Sequence, residues 1–176
     1  MALRNIFRKQ VWAGDAIVAW ARWSVKHKDQ WTYTQGPLRY ASLNTPLALH
    51  KWADCSSAFT YWFRWAGVIK DPNNEGWTGG FTGTLLRGGK QISRSEVRPG
   101  DGVFYGVGTA DHVALVVEVR GNDILTVSHG DDVGPRYVWV NTPEGPSLGL
   151  PVDGRKPQRF MRYNKMAYKI KMPPAS

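Results

Sequence analysis

Cysteine is nearly absent: Cys55 stands alone among 176 residues, so no internal disulfide can form and the chain must hold its fold by burying a core. Nothing therefore marks it for an oxidising compartment, although a catalytic thiol could act in one. Long apolar runs are missing too. No stretch reaches the roughly 20 apolar residues of a membrane span, and Asp15, Arg22 and Lys26 interrupt the one apolar run near the start, which does not read as a signal peptide. Short metal-ligand spacings such as Cys-x-x-Cys or His-x-x-x-His do not occur, so no metal is expected. The glycine-rich run from Gly76 to Gly89 has no Lys-Ser or Lys-Thr behind it and no strand before it, which excludes a phosphate-binding loop and leaves no cofactor to expect. Acid is scarce at one end. The net charge is +9, and from Arg155 to Lys171 there are seven Lys or Arg and no Asp or Glu, a pattern that favours a polyanion such as nucleic acid or an acidic wall polymer.

What is present centres on Trp52-Ala53-Asp54-Cys55-Ser56-Ser57, followed by apolar or small residues at 55, 58, 59, 62, 63 and 66. That series is one face of a helix, with Asp54 as its N-cap, Gly67 as its stop, and Ser57, Thr60, Tyr61 and Arg64 on the other side. A thiol in the first turn lies beside free backbone N–H groups and the positive end of the helix dipole, which favour the thiolate. By position alone, Cys55 reads rather as a small buried apolar residue, the commoner fate of a free cysteine. Two histidines shift the balance. His112 opens the strand-like run His112-Val113-Ala114-Leu115-Val116-Val117, and His129 closes Leu125-Thr126-Val127-Ser128-His129. A cysteine at a helix start with histidines on later strands is the arrangement of a papain-type thiol hydrolase.

Residues 11 to 28 predict a first helix, with Ala13, Ala16, Ile17, Trp20 and Ser24 on one face, and 36 to 52 a loop. Pro99-Gly100-Asp101-Gly102 is a turn launching Val103-Phe104-Tyr105. Strand patterns then recur at 112 to 119, 123 to 128, 136 to 140 and 158 to 163, with Gly121-Asn122-Asp123 as a hairpin turn. Helices followed by an antiparallel sheet give an α+β class. The expected organisation is one catalytic domain over 1–176, with a core at about 11–163 and a basic tail at 164–176. Eight of the nine Trp lie between Trp12 and Trp77, where they serve as core or line a groove.

The order of these motifs resembles the NlpC/P60 group of cysteine peptidases. A Tyr in a Trp-containing loop precedes Asp-Cys-Ser at a helix start, then come Pro-Gly-Asp before an aromatic strand, His-Val at a strand start and a second His one strand later, over about residues 11 to 130. The resemblance implies a papain-like fold with helices packed on a mostly antiparallel sheet, and hydrolysis of a peptide bond in the peptidoglycan stem, often between D-glutamyl and meso-diaminopimelate residues. It implies Cys55 as nucleophile, His112 as general base and His129 as the group that hydrogen-bonds the far nitrogen of His112. It also implies Tyr33, Asp54 and Ser56 as substrate-binding residues, which in some family members hold a free L-Ala amine. The partner expected is bacterial peptidoglycan, with anionic wall polymers drawn to the basic stretch, and nucleic acid is not expected. Ser57 stands where the family pattern has Gly, and Trp31-Thr32-Tyr33-Thr34-Gln35-Gly36 lacks a second glycine. Both departures fall at the groove entrance.

Three alternatives stay open. One is a CHAP-like amidase cutting the muramoyl-L-alanine bond, and another is a wall-binding or virion structural module without activity. The third is a metal site from Cys55, His112, His129 and Asp131. His27 and His50 match no motif and read as surface or loop histidines. A small, basic wall hydrolase without a leader has the profile of a phage lysin or virion-associated lytic enzyme, made in the host cytoplasm and acting on the wall.

Overall fold

A computed structural model describes residues 9–140, 150–156 and 158–175. In chain order the elements are β1 (Val11–Trp12), α1 (Gly14–Lys26), β2 (Trp31–Tyr33), β3 (Lys51–Ala53), α2 (Cys55–Trp65), α3 (Thr82–Gly88), β4 (Lys90–Ile92), β5 (Gly102–Tyr105), β6 (His112–Arg120), β7 (Asp123–Ser128), β8 (Arg136–Val140), β9 (Val152–Asp153), β10 (Gln158–Arg162) and β11 (Met166–Ala167). Seven strands form one sheet in the order β4-β10-β5-β6-β7-β8-β9, antiparallel throughout except for the β8–β9 edge. The expected α+β class is the one observed.

The predicted strands fall where the alternation puts them. The first helix starts later than the pattern suggested, because Val11 and Trp12 pair with Ala167 and Met166 instead. Several short elements escaped the sequence reading. β2 lies parallel to β3, and α3 and β4 come from the glycine-rich run and its flank. Neither strand spans more than three residues, too few to display a period.

Helices α1 and α2 cover one face of the sheet through a core that includes Ile17, Trp20, Phe59, Trp62, Val113, Leu115 and Val127. A smaller cluster of Val103, Tyr105, Ala114, Val116, Ile124 and Phe160 lies on the other face. The two helices are joined by a polar bond inside the core: Trp62 Nε1 donates to Ser24 Oγ at 3.0 Å, and that hydroxyl donates to the Trp20 carbonyl at 2.9 Å.

Helix α2 differs from its expected amphipathic form. Ser57, Thr60 and Tyr61 are fully buried along with the apolar face, because the 37–50 segment and the 71–84 segment wrap the side that the pattern assigned to solvent. Their polar atoms are satisfied, as burial demands. The Tyr61 hydroxyl lies 2.7 and 2.8 Å from the carbonyls of Arg39 and Trp52, and Thr60 Oγ1 donates to Ser56 O and accepts from Asn73.

Four of the seven basic residues in the C-terminal stretch are engaged rather than free, while Lys156, Lys169 and Lys171 stay exposed. Lys165 is 1 % exposed and donates to Asp101 Oδ1 at 2.8 Å, while Arg162 pairs with Asp101 Oδ2 at 2.8 Å. Arg159 donates to the carbonyls of Gly106 and Gly108, and Arg155 is paired with Asp153. The balancing acids are remote in sequence or lie just upstream of the counted window, so a local charge tally missed them. The backbone of residues 164–171 is nevertheless tied down: β11 pairs with β1, Trp20 Nε1 donates to Lys171 O, and Lys171 N donates to Ala66 O.

Candidate functional site

Asp54 builds the Cys55 side. Its Oδ1 accepts from Ser57 N at 2.7 Å, and Ser57 Oγ in return accepts from Asp54 N at 2.8 Å, a reciprocal capping box that starts α2 at Cys55. Ser56 Oγ donates to the same Oδ1 at 2.8 Å. Cys55 therefore occupies the first helical position, 7 % exposed, with the backbone N–H groups of Ser56 and Val113 directed at its sulfur. Val113 is the residue after His112. The thiol thus meets β6 at its histidine end.

The dipole does not decide the thiol's ionisation. Burial, followed by the neighbouring Asp54 carboxylate, pushes Cys55 up to about 11 against the two backbone hydrogen bonds that pull it down. Desolvation of a charge outweighs a partial charge at a helix end. His112 shows the complementary effect. It is 2 % exposed, and burial, reinforced by Arg155, lowers it to about 3. Both groups are neutral at rest, and no hydrogen bond joins them.

His112 is held on its other flank. Its Nε2 lies 2.7 Å from Ser128 Oγ, its ring stacks on Tyr105 with centroids 5.9 Å apart, and the chain crosses it at Gly130. A Cβ on Gly130 would stand 3.1 Å from His112 Cε1, closer than a neighbour fixed by stacking easily allows. His129, expected at the far nitrogen of His112, is elsewhere. Its Nε2 donates to the Ala53 carbonyl at 3.1 Å, and its ring makes edge contacts with Trp31 and Tyr33. It ties the residue before Asp54 to the end of β7.

The reason is a one-residue bulge. Arg120 pairs with Asp123 and Glu118 with Leu125 across the Gly121-Asn122 turn, but the register slips between Val116 and Glu118, so Ala114 faces Ser128. Without the slip the same turn would set Ala114 opposite His129. A one-residue shift exchanges the faces of a strand, which brings Ser128 to the side of His112 and takes His129 off it.

Of the expected substrate residues, Ser56 and Asp54 are adjacent and buried. Tyr33 is partly buried, and its hydroxyl is raised by burial and next by the charge of Cys55. Sequence reasoning missed Arg39, whose Nη1 donates to Asp54 Oδ2 at 2.7 Å, and the Asp153–Arg155 pair, whose guanidinium lies over Tyr105. That pair borders a cleft of about 330 Å³ on the Ser128 and Gly130 side of His112. Nothing local to Arg39 announces its contact, whereas the acid that pairs Arg155 stands two residues before it. Among the described residues no group of three or more His, Cys, Asp or Glu is placed to hold a metal. No helix among them is long and apolar enough to cross a membrane.

The sequence profile of the NlpC/P60 family matches residues 37–143. Among solved structures, the P60 domain of an M. avium subspecies paratuberculosis antigen superposes with a TM-score of 0.53 at 20% identity, covering 87% of this chain and 95% of that one. The resuscitation promoting factor interacting protein RipA, mutated at a cysteine, superposes at 0.51 with 19% identity, over 90% of this chain and 63% of that one. The peptidoglycan hydrolase RipB from Mycobacterium tuberculosis gives 0.47 at 20% identity, over 85% and 64%. No curated protein matches the sequence.

Proposed function

Since the chain belongs to the NlpC/P60 family, we propose that it is a thiol peptidase that cuts a peptide bond in the stem of bacterial peptidoglycan, with Cys55 as nucleophile and His112 as base. The observation that carries this reading is the meeting of the capped α2 start with the His112 end of β6, where Val113 N–H reaches the Cys55 sulfur. Nε2 of His112 is engaged by Ser128, so Nδ1 is the nitrogen left to take the thiol proton. Proton transfer yields a thiolate and an imidazolium. The thiolate adds to the scissile carbonyl, and backbone N–H groups at the start of α2 receive the oxyanion. The imidazolium then protonates the departing amine, leaving a thioester, which a water deprotonated by His112 hydrolyses. Ser128 accepts the Nε2 proton of the imidazolium and keeps its ring oriented. His129 acts one step away, by holding Ala53 and with it the residues that present Cys55.

Because thiol and imidazole are both neutral at rest, their proton transfer belongs to the reaction rather than preceding it. The finer reading is a D-glutamyl/meso-diaminopimelate endopeptidase working as a lysin. Mass spectrometry of fragments from digested wall tests the bond: a new free amine on diaminopimelate supports it, whereas one on L-Ala would assign the amidase instead. The neutral, unbonded pair also favours a second reading, a wall-binding module without turnover. That module would pellet with wall as well as its Cys55→Ala form does, and release no amine.

A further inference from the structure

A buried carboxylate beside Cys55 would be the natural counter-ion for a substrate ammonium, yet both oxygens of Asp54 are already engaged and its charge is paired. Oδ1 accepts from Ser56 Oγ, Ser57 N and Ser57 Oγ, and Oδ2 accepts from Arg39 Nη1 at 2.7 Å. Arg39 is fixed in turn by three elements. Its Nη2 donates to Gly80 O at 2.9 Å, its guanidinium lies 5.5 Å from the Tyr40 ring centroid, and its own carbonyl is held by the Tyr61 hydroxyl of α2. Gly80 is required for this. It has φ +133°, and a Cβ there would fall 2.2 Å from Asn73 Oδ1. The pair is mostly buried, with 28% of the Arg39 side chain and 6% of that of Asp54 exposed.

An arriving ammonium would meet a carboxylate whose charge is already paired with Arg39, and displacing Arg39 would strand a guanidinium that has lost its partner. We propose that Arg39 is a specificity-determining residue that closes the position beside Cys55 to ammonium groups. The enzyme then takes stem peptides whose first residue is N-acylated, as it is in glycan-linked wall, in preference to soluble peptides with a free amine at that residue. This rests on the peptidase reading above and narrows its substrate class.

The test compares L-Ala-γ-D-Glu-meso-diaminopimelate with its N-acetyl form. The unmodified enzyme is expected to cleave the acetylated peptide at least tenfold better in kcat/KM. Arg39→Gln and Arg39→Ala should shrink that ratio about tenfold by gaining free-amine turnover, while Arg39→Lys keeps it. A merely structural Arg39 would lower both substrates together and leave the ratio alone. A ratio unmoved in variants with the parental circular dichroism, or a parent that prefers the free amine, overturns the proposal. If the parent cleaves neither peptide, the peptidase reading fails separately, and calorimetry on Cys55→Ala protein decides Arg39: tenfold weaker binding of the free-amine peptide supports it, and equal or tighter binding overturns it.

Discussion

The two sides of the site are built by different means. On the Cys55 side, the bonds that start the helix are short in sequence, since Asp54 caps, Ser57 returns the bond and Ser56 donates to the same oxygen, and only Arg39, Val113 and His129 reach it from farther away. On the base side, His112 depends on Ser128 sixteen residues away, on the stacking of Tyr105 and on a bulge in β6. The first side is set by local capping chemistry, the second by sheet register. A residue's role on the second side can change with one inserted position, whereas on the first it cannot.

The sharpest break is at the nucleophile. Cys55→Ala should lower wall hydrolysis at least a thousandfold, with a stability cost of about 1 kcal/mol, because only one heavy atom is lost from a capped helix start. His112→Ala should be nearly as damaging to activity. Retained lysis in either folded variant, measured by turbidity of purified wall, would remove the mechanism. Asp54→Ala comes next. It deletes the cap and strands Arg39, so unfolding in urea should show a loss of about 3 kcal/mol, more than any single base-side substitution.

Acid should separate the sides differently. The folded value of His112 is about 3 against an ordinary value near 6.5, so between those pH values the unfolded chain binds the extra proton. Its contribution is present above about pH 6.5 and is lost as pH falls through about 3. His129, lowered mainly by burial, acts with the same sign. Cys55 does the reverse at the alkaline end: its stabilisation is full below about pH 9 and lost as pH rises through about 11. The urea midpoint should drop between pH 7 and pH 4, by less in His112→Gln. Alkylation of Cys55 by iodoacetamide should keep accelerating up to about pH 11 instead of reaching a plateau near neutrality. A neutral plateau would mean that the thiolate–imidazolium pair exists at rest.

What the sequence disclosed follows the same division. The Asp54 cap, the Gly67 stop, the hairpin turn and the strands of the main sheet were legible, because capping, turn chemistry and alternation act within a few residues. The burial of Thr60 and Tyr61 was not, since it depends on which loop covers α2. Nor was the neutralisation of Arg162 and Lys165, whose acid lies more than sixty residues away. His129 was placed on His112 by the family resemblance, and the Gly121-Asn122 turn alone does favour that pairing. The extra residue near Val117 undoes it, and an uninterrupted apolar run does not reveal a bulge.

The smallest expected effect tests that slip directly. If Ser128 orients His112, Ser128→Ala removes one neutral hydrogen bond worth about 1 kcal/mol, and kcat should fall roughly threefold to tenfold with KM unchanged. Ser128→Asn, which restores an acceptor, should recover part of the loss. His129→Gln keeps a donor for the Ala53 carbonyl, so it should stay within about twofold of the parent and lose a little stability instead. Were His129→Gln to cut kcat more than Ser128→Ala does, the working enzyme would pair Ala114 with His129 and the bulge would close during turnover. The order of these two variants therefore reads the register of β6 and β7 in the active protein through kinetics alone.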